Sequence, residues 1–407
     1  MDGHSLPRLI TEIPGPRSRA MVDRLAAHEC PAITARRARR AHALGVADTD
    51  PVVWDTALGA NVRDVDGNVM VDMTAGFGVA SVGHRHPEVV AAATAQLARL
   101  PHAMGDAFPD PRRIELLERL SELTGLDHAM LGSSGSDAVE AALKTARLAS
   151  GRPGVLAFHG GYHGLSYGAL AATAYKADAF RQPFADQLGG HVRHAVFGGD
   201  IDLGDAGAVL VEPIQGRGGV RIPPAGWLGR LREACDQAGA VLIFDEIYTG
   251  FGRTGDLFAF QHEGVVPDLI CLGKGMAGGT PLSACVGRAE VMEAWGASRG
   301  EALHTQTFLG HPVGCAMALA CIEVVLALGD RVRRMGERIR GELPVRGRGL
   351  LLGLEHPDAL GLSRALLQRG WIALPAGEQA EVLALTPPLT ISEAQIHGFV
   401  RVVQELS

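Results

Sequence analysis

The chain has few lysines, few aromatics, no closely paired cysteines and no long uninterrupted apolar run. Each scarcity removes a class of function. Among 38 basic residues only Lys144, Lys176 and Lys274 are lysines, so chemistry that needs a primary amine has three candidates. A formal charge of -7 over 407 residues argues against a nucleic-acid partner, because binding a phosphate backbone draws on a strongly basic face. The longest apolar stretch, residues 316–328, is interrupted by Glu323 and falls short of the ~18 residues that suggest a membrane span. The opening segment MDGHSLPRLITEIPGPR carries acids and prolines without the apolar centre of a secretion signal, and a cytoplasmic location is expected. The six cysteines form no CxxC pair, and Cys235, Cys271 and Cys285 lie in apolar runs. They are expected to be small core side chains, without disulfide or metal. With 47% apolar and 20% charged residues, the chain has enough apolar side chain to bury a sizeable core.

The first 60 residues hold an Arg-rich helical piece at 35–43, then alternating runs at 52–55 and 61–64 broken by Asp66-Gly67, which predicts a small β-containing lobe. The arginines at 36, 37, 39 and 40 are read as a solvated helix face. From residue 83 onward, helical patterns at 86–100, 111–123 and 136–149 give way to short apolar runs at 155–158, 192–196, 208–212, 240–246, 268–273 and 283–287. Such runs alternating with helices predict a mostly parallel α/β sheet covered on both faces, with ligands at the strands' carboxyl ends. After residue 305 come a helix at 312–328, a second helix, short strands and a final helix, an α+β lobe. The expected division is a large domain at 60–305 and a discontinuous small domain from 1–59 and 306–407.

Lys274 stands in Gly273-Lys274-Gly275 directly after the apolar run DLICL. An amine at a buried strand end loses ammonium solvation and becomes nucleophilic, which suits Schiff-base formation. Lys144, four residues after Glu140, is read as a surface i,i+4 pair, and Lys176 as a loop residue. The turn Gly132-Ser133-Ser134-Gly135-Ser136-Asp137 runs into a helical pattern. Free N–H groups there suit a phosphate, with hydroxyls from Ser134 and Ser136, and a plain N-cap is the alternative. Asp245 and Glu246 end the run AVLIF, where an acid needs a partner. A protonated heteroaromatic nitrogen or Arg253 would serve. The segment His159-Gly-Gly-Tyr162-His163-Gly places an aromatic ring at the same rim. An amine, a strand-end acid, an anion cradle and a stacking ring together describe a pyridoxal phosphate site.

Seven segments then resemble, in order, the class III (omega) pyridoxal-phosphate aminotransferases of fold type I. They are GANVRDVDGNVMVDMTAGFGVASVGHRHP, SSGSDAVEAALKTAR, FHGGYHG, VEPIQG, LIFDEIYTGFGRTG, LGKGMAGG and TFLGHPVGCAMALA. The resemblance implies a fold type I transferase in which Lys274 is the Schiff-base lysine and Asp245 the partner of the pyridine nitrogen. Gly135 and Ser136 would hold the phosphate, Tyr162 and Ile247 the two ring faces, and His163 would follow Tyr162 as in the family. Phe77 and Glu212 would border the substrate. Thr307 would reach the phosphate of a neighbouring subunit, which implies a homodimer. The implied reaction is ping-pong transamination between an amine or amino-acid donor and a keto-acid or aldehyde acceptor, with racemase, epimerase or aminomutase chemistry as the alternative on the same scaffold.

Three positions depart from the family pattern. Tyr248 stands where many relatives have glutamine, near the cofactor's phenolic oxygen. His311 replaces an asparagine before proline. Ala384 stands where many relatives have an arginine that clamps a substrate carboxylate. The pocket is therefore expected to favour amines lacking a carboxylate at that end, or to use another arginine.

Overall fold

Alternation along four- and five-residue strands builds the central sheet. In the computed structural model, which describes residues 1–34, 51–297 and 300–406, seven strands lie in the order β4-β10-β9-β8-β7-β5-β6. They are β4 (His128–Gly132), β5 (Val155–Phe158), β6 (Val192–Ala195), β7 (Ala208–Val211), β8 (Val241–Asp245), β9 (Leu269–Leu272) and β10 (Ser283–Gly287). Pairing is parallel from β6 through β9, and β10 runs antiparallel to both neighbours. Successive side chains point to opposite faces. On one face Leu156, Phe158, Val209, Val211, Leu242, Phe244, Ile270 and Leu272 join Trp227 and Leu231 in one core. On the other, Ala157, Leu210, Ile243, Leu269 and Cys271 meet the helix Gly135–Ser150. That helix presents Ala138, Ala141, Ala142 and Ala146 to the strands, and small side chains let its axis lie close. Both faces are covered, as expected for a parallel sheet.

Two smaller sheets complete the fold. One contains β1 (Trp54–Leu58), β2 (Asn61–Asp64), β3 (Val69–Asp72) and β13 (Trp371–Ile372); the other orders β11 (Val345–Arg348), β12 (Leu351–Glu355), β15 (Val382–Leu385) and β14 (Leu374–Ala376). The pairing Leu58↔Asn61 crosses the expected domain boundary between residues 59 and 60. Strand β3 also pairs in parallel with β13, tying the N-terminal hairpin to the C-terminal part. The helix Pro312–Leu328 is largely buried, and among the described residues no single helix is long and apolar enough to cross a membrane. The arginine cluster at 36–40 lies outside the described residues.

Candidate active site at the carboxyl ends of the strands

Asp245 ends β8 and is buried. Its Oδ2 lies 2.8 Å from Nδ1 of buried His163, and its Oδ1 accepts from the Ile247 N–H at 3.1 Å. With a carboxylate as acceptor, Nδ1 of His163 carries the hydrogen. The loop that carries the imidazole is held in turn, because the backbone N–H of His163 donates to Thr173 Oγ1 at 2.9 Å and that hydroxyl donates to the Gly164 carbonyl at 2.9 Å. Each Asp245 oxygen retains a lone pair, so the acid can still accept a ring N–H. Arg253, the alternative partner offered by the sequence, instead donates to the carbonyls of Pro387 and Leu350 at 2.6 and 3.2 Å. Burial pushes its guanidinium down to about 10.

Glu246, beside Asp245, points away from this chemistry. It accepts from the Thr249 hydroxyl and the Ala259 and Phe260 N–H groups at 2.8, 2.7 and 2.8 Å. Burial pushes its carboxyl up to about 7.

Lys274 follows β9 with φ +38 between extended Gly273 and buried Gly275, a left-handed conformation that is costly for a side-chain-bearing residue. Its Nζ lies 4.6 Å from the centroid of the Tyr248 ring. Burial holds its ammonium below the usual lysine value and Arg217 adds to the fall, while Asp245 and Glu212 oppose it. The other two lysines stand elsewhere. Lys144 is exposed, with Nζ 3.2 Å from His304 Nδ1. The expected Glu140–Lys144 pair is not formed, because Glu140 accepts from the Ser166 hydroxyl and the Gly168 and Ala169 N–H groups. The Nζ of Lys176 lies 5.4 Å from the Tyr175 ring centroid.

At the start of the Gly135–Ser150 helix, Ser134 forms a capping box. Its hydroxyl accepts from the Asp137 N–H at 3.3 Å, and Asp137 Oδ2 accepts from the Ser133 and Ser134 N–H groups at 3.0 and 2.9 Å. The cap thus engages Ser134 and leaves the N–H groups of Gly135 and Ser136 without an acceptor among the described residues. A Cβ on Gly135 would lie 2.9 Å from Ile247 Cδ1, so glycine is what allows Ile247 to pack against this turn.

Glu212 closes the rim. Its two oxygens accept from the Tyr162 and Gly216 N–H groups at 2.9 and 3.0 Å, and burial pushes its carboxyl up to about 7. The Tyr162 ring meets Tyr175 and Phe180, each at 6.3 Å between centroids. Tyr248 is hemmed in by Gly78 and Gly216, neither of which has room for a Cβ beside its ring. Its hydroxyl lies 3.3 Å from Thr386 Oγ1, and burial holds the phenol above its usual value. Phe77, with φ +64, is exposed in the turn that carries Gly78. Thr307 is exposed in a turn, and the preceding Gln306 accepts from the Ser133 hydroxyl at 3.0 Å.

The structure also accounts for His311, whose Nδ1 accepts from the Gly314 N–H at 3.3 Å as the N-cap of the Pro312–Leu328 helix. The sequence reading passed over Arg217. Its guanidinium carbon lies 4.5 Å from the Tyr162 centroid and 5.3 Å from that of Tyr175; the basic residue directly after VEPIQG was the available signal.

The family described as "Aminotransferase class-III" matches residues 45–198 and 201–406. The chain is a class III aminotransferase. It is 40% identical to the acetylornithine aminotransferase of Methanopyrus kandleri over 85% of this chain and 92% of that one. It is 36% identical to a 5-aminovalerate aminotransferase of Pseudomonas putida over 89% of this chain and 94% of that one. The aminotransferase also superposes on the crystal structure of an ornithine aminotransferase from Toxoplasma gondii with TM-score 0.79 and 31% identity, covering 88% and 90% of the two chains. An amine transaminase from an uncultivated Pseudomonas species, solved with pyridoxal phosphate bound, matches with TM-score 0.79 and 30% identity over 88% and 94%. The fold is that of fold type I aminotransferases, and the cofactor of this enzyme is pyridoxal 5'-phosphate. These relatives favour transamination over the racemase or aminomutase alternative.

Proposed function

We propose that the strand-end cluster around Lys274 and Asp245 is the active site of this aminotransferase, and that its donor carries a primary amine on a carbon chain. Relatives named for acetylornithine and 5-aminovalerate, and solved structures named for ornithine and for amine transamination, support that donor class. The residues fit pyridoxal phosphate. The unsatisfied N–H groups of Gly135 and Ser136, with the Ser136 hydroxyl, would bind its phosphate. Tyr162 and Ile247 would hold the two ring faces, and Asp245 the ring N–H. When bound, the cofactor supplies an aldehyde that captures the amine and a ring that accepts the electrons released at the donor carbon.

Lys274 does the proton work. As a neutral amine it would take the proton from the amine-bearing carbon of the donor and return it to the carbon that had been the cofactor's aldehyde. Asp245, oriented by His163, would hold the ring N–H and favour positive charge there. Tyr248, Phe77 and Glu212 border the space left for substrate. The exposed turn at Thr307 would face a second copy, whose phosphate site it would complete in a homodimer. The same reading divides the chain into a cofactor-bearing unit at 60–305 and a small unit from 1–59 and 306–407, with the β1–β2 hairpin as their seam. The unbonded cysteines suit the reducing cytoplasm.

The observation that carries the reading is adjacency. In the β8–β9 register Asp245 pairs with Cys271, which places the acid beside the strand whose end delivers Lys274. The test is the absorbance of the bound cofactor as amine donors are added without acceptor. Conversion to the amine form by at least one donor, and reversal by a keto acid, is expected; no conversion by any donor would overturn the proposal.

A further inference from the structure

Arg217 is a half-buried guanidinium with no acceptor among the described residues. It follows Gly216, whose N–H holds Glu212, and its own carbonyl accepts from the Gly377 N–H at 2.9 Å. Both ends of its loop are therefore fixed. The rings of Tyr162 and Tyr175 lie against the guanidinium, a contact that leaves in-plane N–H donors open. Neighbouring acids are already engaged. Glu212 uses both oxygens on backbone N–H groups, Glu378 accepts from the Lys176 N–H at 3.2 and 3.3 Å, and Glu381 accepts from the Gln379 N–H at 2.9 Å. Two other partly buried arginines are paired within the fold: Arg232 with Asp236 and Asp268, and Arg346 with the Gly219 carbonyl. A half-buried guanidinium whose in-plane donors stay open is a ready partner for an anion.

We propose that Arg217 binds a carboxylate on the substrate's tail, so that this enzyme acts on amino acids in preference to bare amines. A planar guanidinium matches a carboxylate through two parallel N–H···O bonds. Ala384, at the position of the family's clamp, lies in β15 opposite Gly353 and Leu374, and its methyl group has no donor to offer. Arg217 belongs to the same electrostatic neighbourhood as the proposed reacting amine, since its charge helps to lower the Lys274 ammonium and acts on the Tyr248 phenol.

This proposal rests on the amine-donor reading above, and its test separates the two. The holoenzyme is given 5-aminovalerate or pentylamine, which differ in the carboxylate, and cofactor conversion is followed for wild type, Arg217→Gln and Arg217→Lys. Calorimetric binding of valerate, which has no amine to react, gives a second readout. In Arg217→Gln the preference for 5-aminovalerate over pentylamine should fall roughly 10- to 100-fold, mainly through KM, and valerate binding should weaken on the same scale. Arg217→Lys should recover part of each. An unchanged preference with unchanged valerate binding would overturn the carboxylate proposal and leave the amine-donor reading standing. Failure of these two amines and of every other donor to convert the wild-type cofactor would overturn both.

Discussion

At the ends of β8 and β9, Asp245 and Lys274 are set by neighbours that leave little freedom: His163, Thr173, the Ile247 N–H and the glycines around Lys274. The wall proposed to face the substrate is built otherwise. Phe77 is exposed on a left-handed turn, Ala384 offers no charge, and Arg217 has no acceptor among the described residues. The contrast separates two tasks on one scaffold. On the proposed reading, the floor would hold the chemistry and the wall would choose the substrate.

Variants can break that contrast or sharpen it. The largest effect belongs to the floor. Asp245→Asn should lower kcat/KM by about 10²–10³, the scale of removing one preorganised electrostatic partner. Steady-state rates should show the same loss for 5-aminovalerate and pentylamine, and a loss confined to one donor would erase the division between floor and wall. His163→Gln, one hydrogen bond further out, should cost about 10-fold, again without donor preference.

The smallest effect should leave chemistry aside and appear in stability. Burial pushes Glu246 up to about 7 from the ordinary 4.5, so between those values the folded protein keeps a proton that the unfolded chain has released. The stability this group contributes is full below about 4.5 and is lost as pH rises through about 7, by up to ~3 kcal/mol. Thermal melts should therefore show the wild type losing stability relative to Glu246→Gln, whose neutral side chain does not titrate, as pH rises from about 4.5 to 8. Glu212, raised for the same reason, keeps part of the slope in the variant. A wild type that gains stability relative to the variant as pH rises would contradict the burial argument.

Much of this was legible in the chain because buried parallel strands read as continuous apolar runs. The run at 155–158 coincides with β5 and that at 283–287 with β10. Strands that are short, polar or half-exposed gave no such signal. β4 begins on exposed His128, and β11 reads Val-Arg-Gly-Arg. Neighbouring residues also part company, since Trp371–Ile372 pairs with β3 and Leu374–Ala376 with β15, a change of sheet that local pattern does not encode. In the site, scarcity exposed Lys274 and the strand end exposed Asp245. The His163–Asp245 contact was hidden because it joins the loop after β5 to the last residue of β8, and β7 separates those strands in the sheet. Arg217 was hidden because its flanking glycines read as an ordinary turn.

The account stands on one amine. Borohydride reduction of the holoenzyme, followed by peptide mapping, should leave the cofactor attached to the peptide containing Lys274. Attachment at Lys144 or Lys176, or no attachment at all, would contradict it.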